Sequence, residues 1–163
     1  MYNKIVIHDL NEILLIPIDK LNSLQHLIFD DFFNQLLSNS LDKLTSLQYL
    51  TFGYSFNKPL YNSLDKLTSL QQLTFGFKFD QRSDLPSNIK YLVLDCNNQY
   101  LIDNLHNNIE ELTLCYNFNL ELNNLPSSIK KIMIKNNNYD KELNNLPISL
   151  EYIKLPFDYK KKY

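Results

Sequence analysis

Apolar and polar positions alternate in a short motif that recurs along the whole chain. The motif reads apolar-x-x-apolar-x-apolar, so its last two apolar positions are separated by a single residue. That spacing of two is typical of a β-strand with one buried face. The motif therefore predicts a series of short strands. Its final apolar pairs are Leu27/Phe29, Leu50/Phe52, Leu73/Phe75, Leu92/Leu94, Leu112/Leu114, Ile132/Ile134 and Ile153/Leu155.

The copies follow one another at intervals of 23, 23, 19, 20, 20 and 21 residues. Eight residues, LDKLTSLQ, are identical at 41–48 and 64–71, and Ile5 with Ile7 opens the series as a capping copy. A strand of four or five residues is unstable alone, but stacked on its neighbours at about 4.8 Å it buries a continuous core. We therefore predict a repeat solenoid with a parallel sheet of about eight short strands on one face. It forms a single domain over 1–158, with about seven repeats and an N-terminal cap strand, followed by a basic tail at 159–163.

The segments between strands predict the other side of each coil. They are rich in Asn, Pro and Ser, which favour turns, so we expect 3₁₀ turns or extended segments rather than full α-helices on the convex side. Four residues after the second strand position a phenylalanine recurs, each time followed by Asn or Asp. This predicts a stacked aromatic column at one corner, with the neighbouring polar side chain bonding the turn. The column members are Phe33, Phe56, Phe79 and Phe118, with interruptions expected at Asn98 and Asn138 and a resumption at Tyr159.

The phrase LTFGYSFNKPL at 50–60 resembles the FNIP repeat, a unit of about 22 residues within the leucine-rich-repeat group. FNIP repeats are frequent in amoebae and in the giant DNA viruses that infect them. The resemblance is best over 41–80, where F-G-x-x-F-N/D recurs, whereas the later LP-x-S-I/L copies also look like the repeats of bacterial effector proteins. Both resemblances imply a curved, leucine-rich-repeat-like solenoid used for protein binding. Many FNIP chains begin with an F-box, which we do not expect here because the repeat frame starts by Ile5.

Composition narrows the functional class. The formal net charge is only −2, so no strong field favours nucleic acid or an acidic membrane as partner. The apolar run near the N-terminus is short and interrupted by Pro17, which fits neither a signal peptide nor a membrane span. Cys96 and Cys115 are the only cysteines and favour a reducing compartment. We therefore expect a cytoplasmic protein, in the host cytoplasm if the gene is viral.

Candidate chemistry is sparse. The frame places His8 beside Asp30 and Asp9 beside Asp31, an arrangement that suits a general base or a metal ligand set. No nucleophile at a defined turn and no H-x-x-x-H spacing accompanies them, so a solvated polar patch is the preferred interpretation. The two glycines, Gly53 and Gly76, are expected to let the backbone leave the strand rather than to bind phosphate. We predict no enzyme activity, no cofactor and no metal site.

The outward face of the sheet remains as the candidate binding surface. Strand residues that alternate with the buried pairs point to it, and exposed aromatics are typical interface anchors. We predict a non-enzymatic scaffold that binds a partner protein (a host protein if viral) through this concave face. The predicted contact residues are Tyr49, Tyr91 and Tyr152 as anchors, Tyr54, Phe77 and Tyr116 beyond the strand ends, and Asp95, Glu111 and Lys131 for charge specificity.

The alternative is a structural or self-associating protein. The first strand, KIVIH at 4–8, has no helical cap in the sequence, and a bare apolar edge invites pairing with another strand. A homodimer through residues 4–8 is the arrangement that this alternative predicts.

Overall fold

A parallel sheet runs the full length of the molecule. The computed structural model describes residues 4–159, and within them eight strands lie side by side in chain order. The basic tail predicted at 159–163 falls, apart from Tyr159, outside the described residues. The strands are β1 Lys4–Ile7, β2 His26–Phe29, β3 Tyr49–Thr51, β4 Gln72–Phe75, β5 Tyr91–Leu94, β6 Glu111–Leu114, β7 Lys131–Ile134 and β8 Tyr152–Lys154.

The strands pair in the register that the repeat predicts. Ile5 lies opposite Leu27, Leu27 opposite Leu50, and the same position continues to Ile153 in β8. Each motif thus contributes its two apolar residues to two continuous columns. Between β2 and β7 these residues are almost completely buried, and together they form one core cluster along the stack. The predicted solenoid, including the first strand as its opening copy, is confirmed.

Turns predominate on the side opposite the sheet, as predicted, but three short helices also occur there. They are α1 Asn11–Leu14, α2 Ile18–Ser23 and α3 Gln99–Asp103, each of four to six residues. The Asn98 side chain begins α3 by accepting a hydrogen bond from the Leu101 N–H at 3.2 Å. None of the helices within residues 4–159 has the length and apolar character that a bilayer crossing requires.

The aromatic column at the corner is present, and one member lies at a different residue from the one predicted. Phe33, Phe56 and Phe79 stack with ring centroids about 6 Å apart, at 6.0 and 5.9 Å. Asn98 does interrupt the column. Asn138 does not, because the turn after β7 is one residue longer and inserts Tyr139 in its place, 6.4 Å from Phe118. Tyr159 then continues the column at 6.0 Å from Tyr139.

Polar side chains at the same corner bond the next coil, as predicted. The Asn34 side-chain oxygen accepts the Asn57 N–H at 2.9 Å, and that of Asn57 accepts the Asp80 N–H at 3.0 Å. Asn119 receives the Asp140 N–H in the same way at 3.2 Å. Backbone donors that point along the stack, where no strand can pair them, are thereby satisfied.

The two glycines serve a different purpose from the predicted one. Neither has a positive φ, so neither is needed to turn the chain. A Cβ atom at Gly53 would instead lie 2.2 Å from the Asp30 carbonyl oxygen, and one at Gly76 would lie 2.3 Å from that of Gly53. Adjacent coils approach so closely here that only glycine fits.

Candidate interaction surface

Two rows of side chains make up the outward face of the sheet. The pairing of the strands aligns them, and most members are partly exposed. The first row is Lys4, His26, Tyr49, Gln72, Tyr91, Glu111, Lys131 and Tyr152, and the second is Val6, Ile28, Thr51, Thr74, Val93, Thr113, Met133 and Lys154. The in-and-out assignment of the strand residues is therefore as predicted.

The three predicted tyrosine anchors share one row but do not form a cluster. Tyr49 and Tyr91 are separated by Gln72, which puts them two strands or about 10 Å apart. Tyr91 and Tyr152 are three strands apart, or about 14 Å. An extended partner lying across the strands would meet them one after another, whereas a compact side chain would reach only one.

His26 belongs to this row and was missed by the sequence reasoning. Its ring stacks on Tyr49 with centroids 4.1 Å apart and planes 11° apart. Burial, together with the nearby Lys4 ammonium, holds the pKa of His26 below its ordinary value. The 23-residue offset between His26 and Tyr49 is the signal that could have placed them side by side.

The predicted charged residues are engaged within the chain. Glu111 and Lys131 form an ion pair at 3.0 Å across adjacent strands. The Asp95 carboxylate accepts hydrogen bonds from the Asn117 backbone N–H and side-chain Nδ2, both at 3.1 Å. Exposed pairs of this kind contribute little to stability and exchange partners easily. Glu111 and Lys131 thus present an approaching partner with a neutral, polarised patch.

Aromatic side chains continue the surface beyond the strand ends. Tyr54 and Phe77 stack with centroids 5.1 Å apart, both remain exposed, and the Lys78 ammonium lies 5.5 Å from the Tyr54 ring. Tyr116, 69 % exposed, stands apart from this pair because the intervening coil places the buried Cys96 there. The structure therefore brings two of the three predicted rim aromatics into contact.

His8 and Asp30 meet as the frame predicts. Their Nδ1 and Oδ2 atoms are 2.6 Å apart, and this hydrogen bond raises the pKa of His8 and lowers that of Asp30. The other Asp30 oxygen accepts the Phe33 N–H at 2.8 Å, so the carboxylate also braces its own turn. Asp9 bonds the side chain of Gln35 at 2.6 Å.

The described residues offer little for other chemistry. Within 4–159 no group of three or more His, Cys, Asp or Glu side chains converges as a metal site would require. Both cysteines are free thiols; burial raises the pKa of Cys96 to about 12 and also raises that of Cys115. Neither has the lowered pKa of a reactive cysteine.

A cleft of about 340 Å³ opens where the 23-residue coils give way to the 19-residue coil. The shorter coil leaves the turn at Tyr61 uncovered, and Arg82 forms part of the opposite wall. The carboxylates of Asp65 and Asp84 also line the cleft. Two carboxylates against one guanidinium give the lining a net charge of −1, which disfavours an anion.

Two comparisons with known proteins show a resemblance, one in the repeat sequence and one in the fold. The family model described as FNIP Repeat matches residues 116–158. The crystal structure of the giant-virus protein CroV588, described as a novel circular LRR protein structure, superposes with a TM-score of 0.64 and 32% sequence identity. The match covers 86% of this chain but only 22% of CroV588, so the chain spans about a fifth of that protein's length. No curated protein matches the sequence.

Proposed function

Taking as premise that the chain carries FNIP repeats in a leucine-rich-repeat-like solenoid, we propose that it is a scaffold that binds a partner protein through the outward face of its sheet. Solenoids of this kind are typical protein-interaction scaffolds and are typically non-enzymatic. The partner is a protein rather than a nucleic acid or a membrane. Binding takes place in the cytoplasm, and the partner is a host protein if the gene is viral.

One observation carries this proposal. Partly exposed aromatic side chains recur along the sheet face, from Tyr49 stacked on His26, through Tyr91, to Tyr152. The parallel strands hold their Cα positions rigidly, so little conformational freedom is lost when a partner covers them. The ion pair of Glu111 and Lys131 lies between Tyr91 and Tyr152 and offers polar contacts within the same surface.

A quantitative pull-down tests the proposal. The bait is the wild-type chain, compared with a Tyr49→Ser, Tyr91→Ser, Tyr152→Ser variant, in lysate of the source cell or of its host. We expect a partner protein that the wild type retains and the triple variant loses by at least tenfold. The matched control is Tyr61→Ser with Ile148→Ser, which removes two exposed side chains from turns outside the sheet. Equal recovery of the partner by all three baits contradicts the sheet face as binding surface.

The second candidate function is self-association through the first strand, residues 4–8. The observation that favours it is Val6, which lies on an outer strand and is 45% exposed. Light scattering over a concentration series tests it, because self-association raises the mean mass with concentration and a monomer keeps one mass throughout. The concentration series needs no second protein, so the two candidate functions are tested independently.

A further inference from the structure

The first and last described coils each leave part of the apolar core half covered. At one face of the stack these residues are Ile5 and Leu10, and at the other they are Leu150, Ile153 and Leu155. Their counterparts inside the stack, such as Leu50 and Leu73, are fully buried by the next coil. Each outer face thus exposes the end of the apolar columns that, inside the stack, the neighbouring coil covers.

The two outer faces are complementary because the frame is the same in every coil. Inside the stack, the residue that follows each buried pair donates its N–H to the preceding strand: Asp95 to the Phe75 oxygen at 3.0 Å, and Cys115 to the Leu94 oxygen at 2.7 Å. Extending the frame past β8 places Ile5 of a second copy opposite Ile153, and its Val6 opposite Lys154. The apolar columns would then continue across the junction.

Charge disfavours the symmetric alternative. Residues 4–40, at the N-terminal end of the stack, contain two lysines and five carboxylates, a net charge of −3. The described residues 121–159, at the other end, contain five lysines and five carboxylates and are neutral. A symmetric pairing of two first coils therefore brings like charges together, whereas a junction between the last coil of one copy and the first coil of another does not.

We infer that copies of this chain associate head to tail, with β8 of one copy pairing in parallel with β1 of the next. Such a heterologous contact uses two different faces of the same chain. The Glu12 carboxylate accepts the His8 and Asp9 N–H groups at 3.2 and 3.1 Å, so the new strand pairing falls on Lys4–Val6. The inference rests on the second candidate function and is independent of the sheet-face partner.

Cysteine trapping distinguishes head-to-tail pairing of β8 with β1 from symmetric pairing of two first strands. Val6→Cys and Lys154→Cys are made as separate variants in a Cys115→Ser background, which removes the half-buried native thiol and keeps the buried Cys96. Paired residues on adjacent strands lie about 4.8 Å apart, within the Cα range of a disulfide. We expect a covalent dimer on oxidation of the mixed variants and none from either variant alone.

The other outcomes are equally informative. A dimer from Val6→Cys alone shows pairing of two first strands, which overturns the head-to-tail inference and leaves self-association standing. If no sample forms a dimer and the mass is that of a monomer at all concentrations, both the head-to-tail inference and self-association are overturned. Neither result affects the sheet-face proposal, since the pull-down detects a different protein.

A charge series checks the register. Val6→Lys faces Lys154 of the next copy and should weaken association by up to about fivefold, whereas Val6→Glu should maintain or strengthen it. Combining Val6→Lys with Lys154→Glu should restore the wild-type association. If Val6→Lys and Val6→Glu weaken association equally, each first strand faces another first strand and the inference fails.

Discussion

Two groups of coils have the same strand motif but different core side chains. The first group begins at β2, β3 and β4, and the second group begins at β5 to β8. In the first group the second core position is Phe29, Phe52 or Phe75, and each ring stacks on the corner phenylalanine of its own coil at 4.0 to 4.1 Å. In the second group the same position is leucine or isoleucine, and the corner has an aromatic side chain only after the interruption at Asn98, from Phe118 to Tyr159. The strands are 23 residues apart from β2 to β4, and 19 to 21 residues apart from there to β8.

The difference teaches that aromatic stacking passes from one coil to the next. Phe75 and Phe79 belong to the 19-residue coil that begins at β4, yet they stack on Phe52 and Phe56 of the 23-residue coil before it. Close packing requires that the space inside each coil be filled. Two rows of phenylalanine fill it in the first group, whereas aliphatic side chains suffice in the second. Two residues at equivalent positions of the longer coils, Ser38 and Tyr61, also adopt a left-handed backbone with φ of 45° and 44°. The extra residues of the 23-residue coils therefore include a sharp bend of the chain at this position.

The largest effect is expected from Phe56→Ala, compared with Phe118→Ala. Phe56 stacks on Phe52, Phe33 and Phe79, whereas the described ring contact of Phe118 is with Tyr139 alone. Each truncation should cost about 3–5 kcal/mol, with Phe56→Ala at the upper end because it also loses more ring stacking. Urea unfolding of both variants measures the difference. Equal losses would show that the double aromatic row adds nothing to the longer coils.

The next largest difference in stability between the two groups of coils is expected from Gly53→Ala. The added Cβ would lie 2.2 Å from the Asp30 carbonyl oxygen, so the backbone must shift at a cost of about 1–3 kcal/mol. Cys115→Ala is the matched control, since Cys115 follows β6 as Gly53 follows the buried pair of its own coil. That change should cost less than about 1 kcal/mol. A Gly53→Ala melting temperature equal to that of the wild type would disprove the close approach.

Asn57→Ala tests the polar corner. Asn57 accepts the Asp80 N–H at 3.0 Å and the Gln81 side-chain N–H at 2.8 Å, whereas Asn119 in the shorter coils accepts the Asp140 N–H at 3.2 Å. We expect a loss of about 1 kcal/mol or more for Asn57→Ala, less for Asn119→Ala, and faster hydrogen exchange at Asp80. Asn57→Asp retains the acceptor and should protect the Asp80 amide. Unchanged exchange in Asn57→Ala would rule the bond out as a stabilising contact.

The smallest effect concerns two histidines of the first coils. The Asp30 hydrogen bond raises the pKa of His8, so its stabilising contribution is present below pH 6.5 and is lost as the pH rises through the raised value. The pKa of His26 is lowered, so His26 destabilises the fold as the pH falls below 6.5. Titration by NMR should place the two pKa values on opposite sides of 6.5.

Asp30→Asn is the control for this titration. It should lower the pKa of His8 toward 6.5 and leave His26 unchanged, because His26 responds to burial and to Lys4 rather than to Asp30. A His8 pKa that stays raised in this variant would mean that another group is responsible.

Most of the fold follows from the sequence because a solenoid repeats one local rule. The spacing between Leu27, Leu50 and Leu73 equals the offset between paired strand residues, so counting along the chain yields the register directly. The same counting failed at Asn138, where one additional turn residue moves the aromatic to Tyr139. It also could not reveal α3, since five residues are too few to show a helical period.

The candidate surface was less predictable than the fold. Alternation within each strand identifies which side chains face outward, and Tyr49, Tyr91 and Tyr152 were placed correctly on that face. The contacts among them depend on neighbours in other coils. The Asp95 bonds to Asn117 and the stacking of His26 on Tyr49 therefore emerged only from the structure.

Pairing in chain order has a mechanical consequence. Since every strand pairs only with strands one coil away along the sequence, a pulling force applied to the two ends meets one coil contact at a time. Each rupture should release a single coil of 19 to 23 residues, or roughly 60–80 Å of contour length. The force–extension curve should therefore be a sawtooth of short, nearly equal steps. The aromatic-rich 23-residue coils should give the highest peaks.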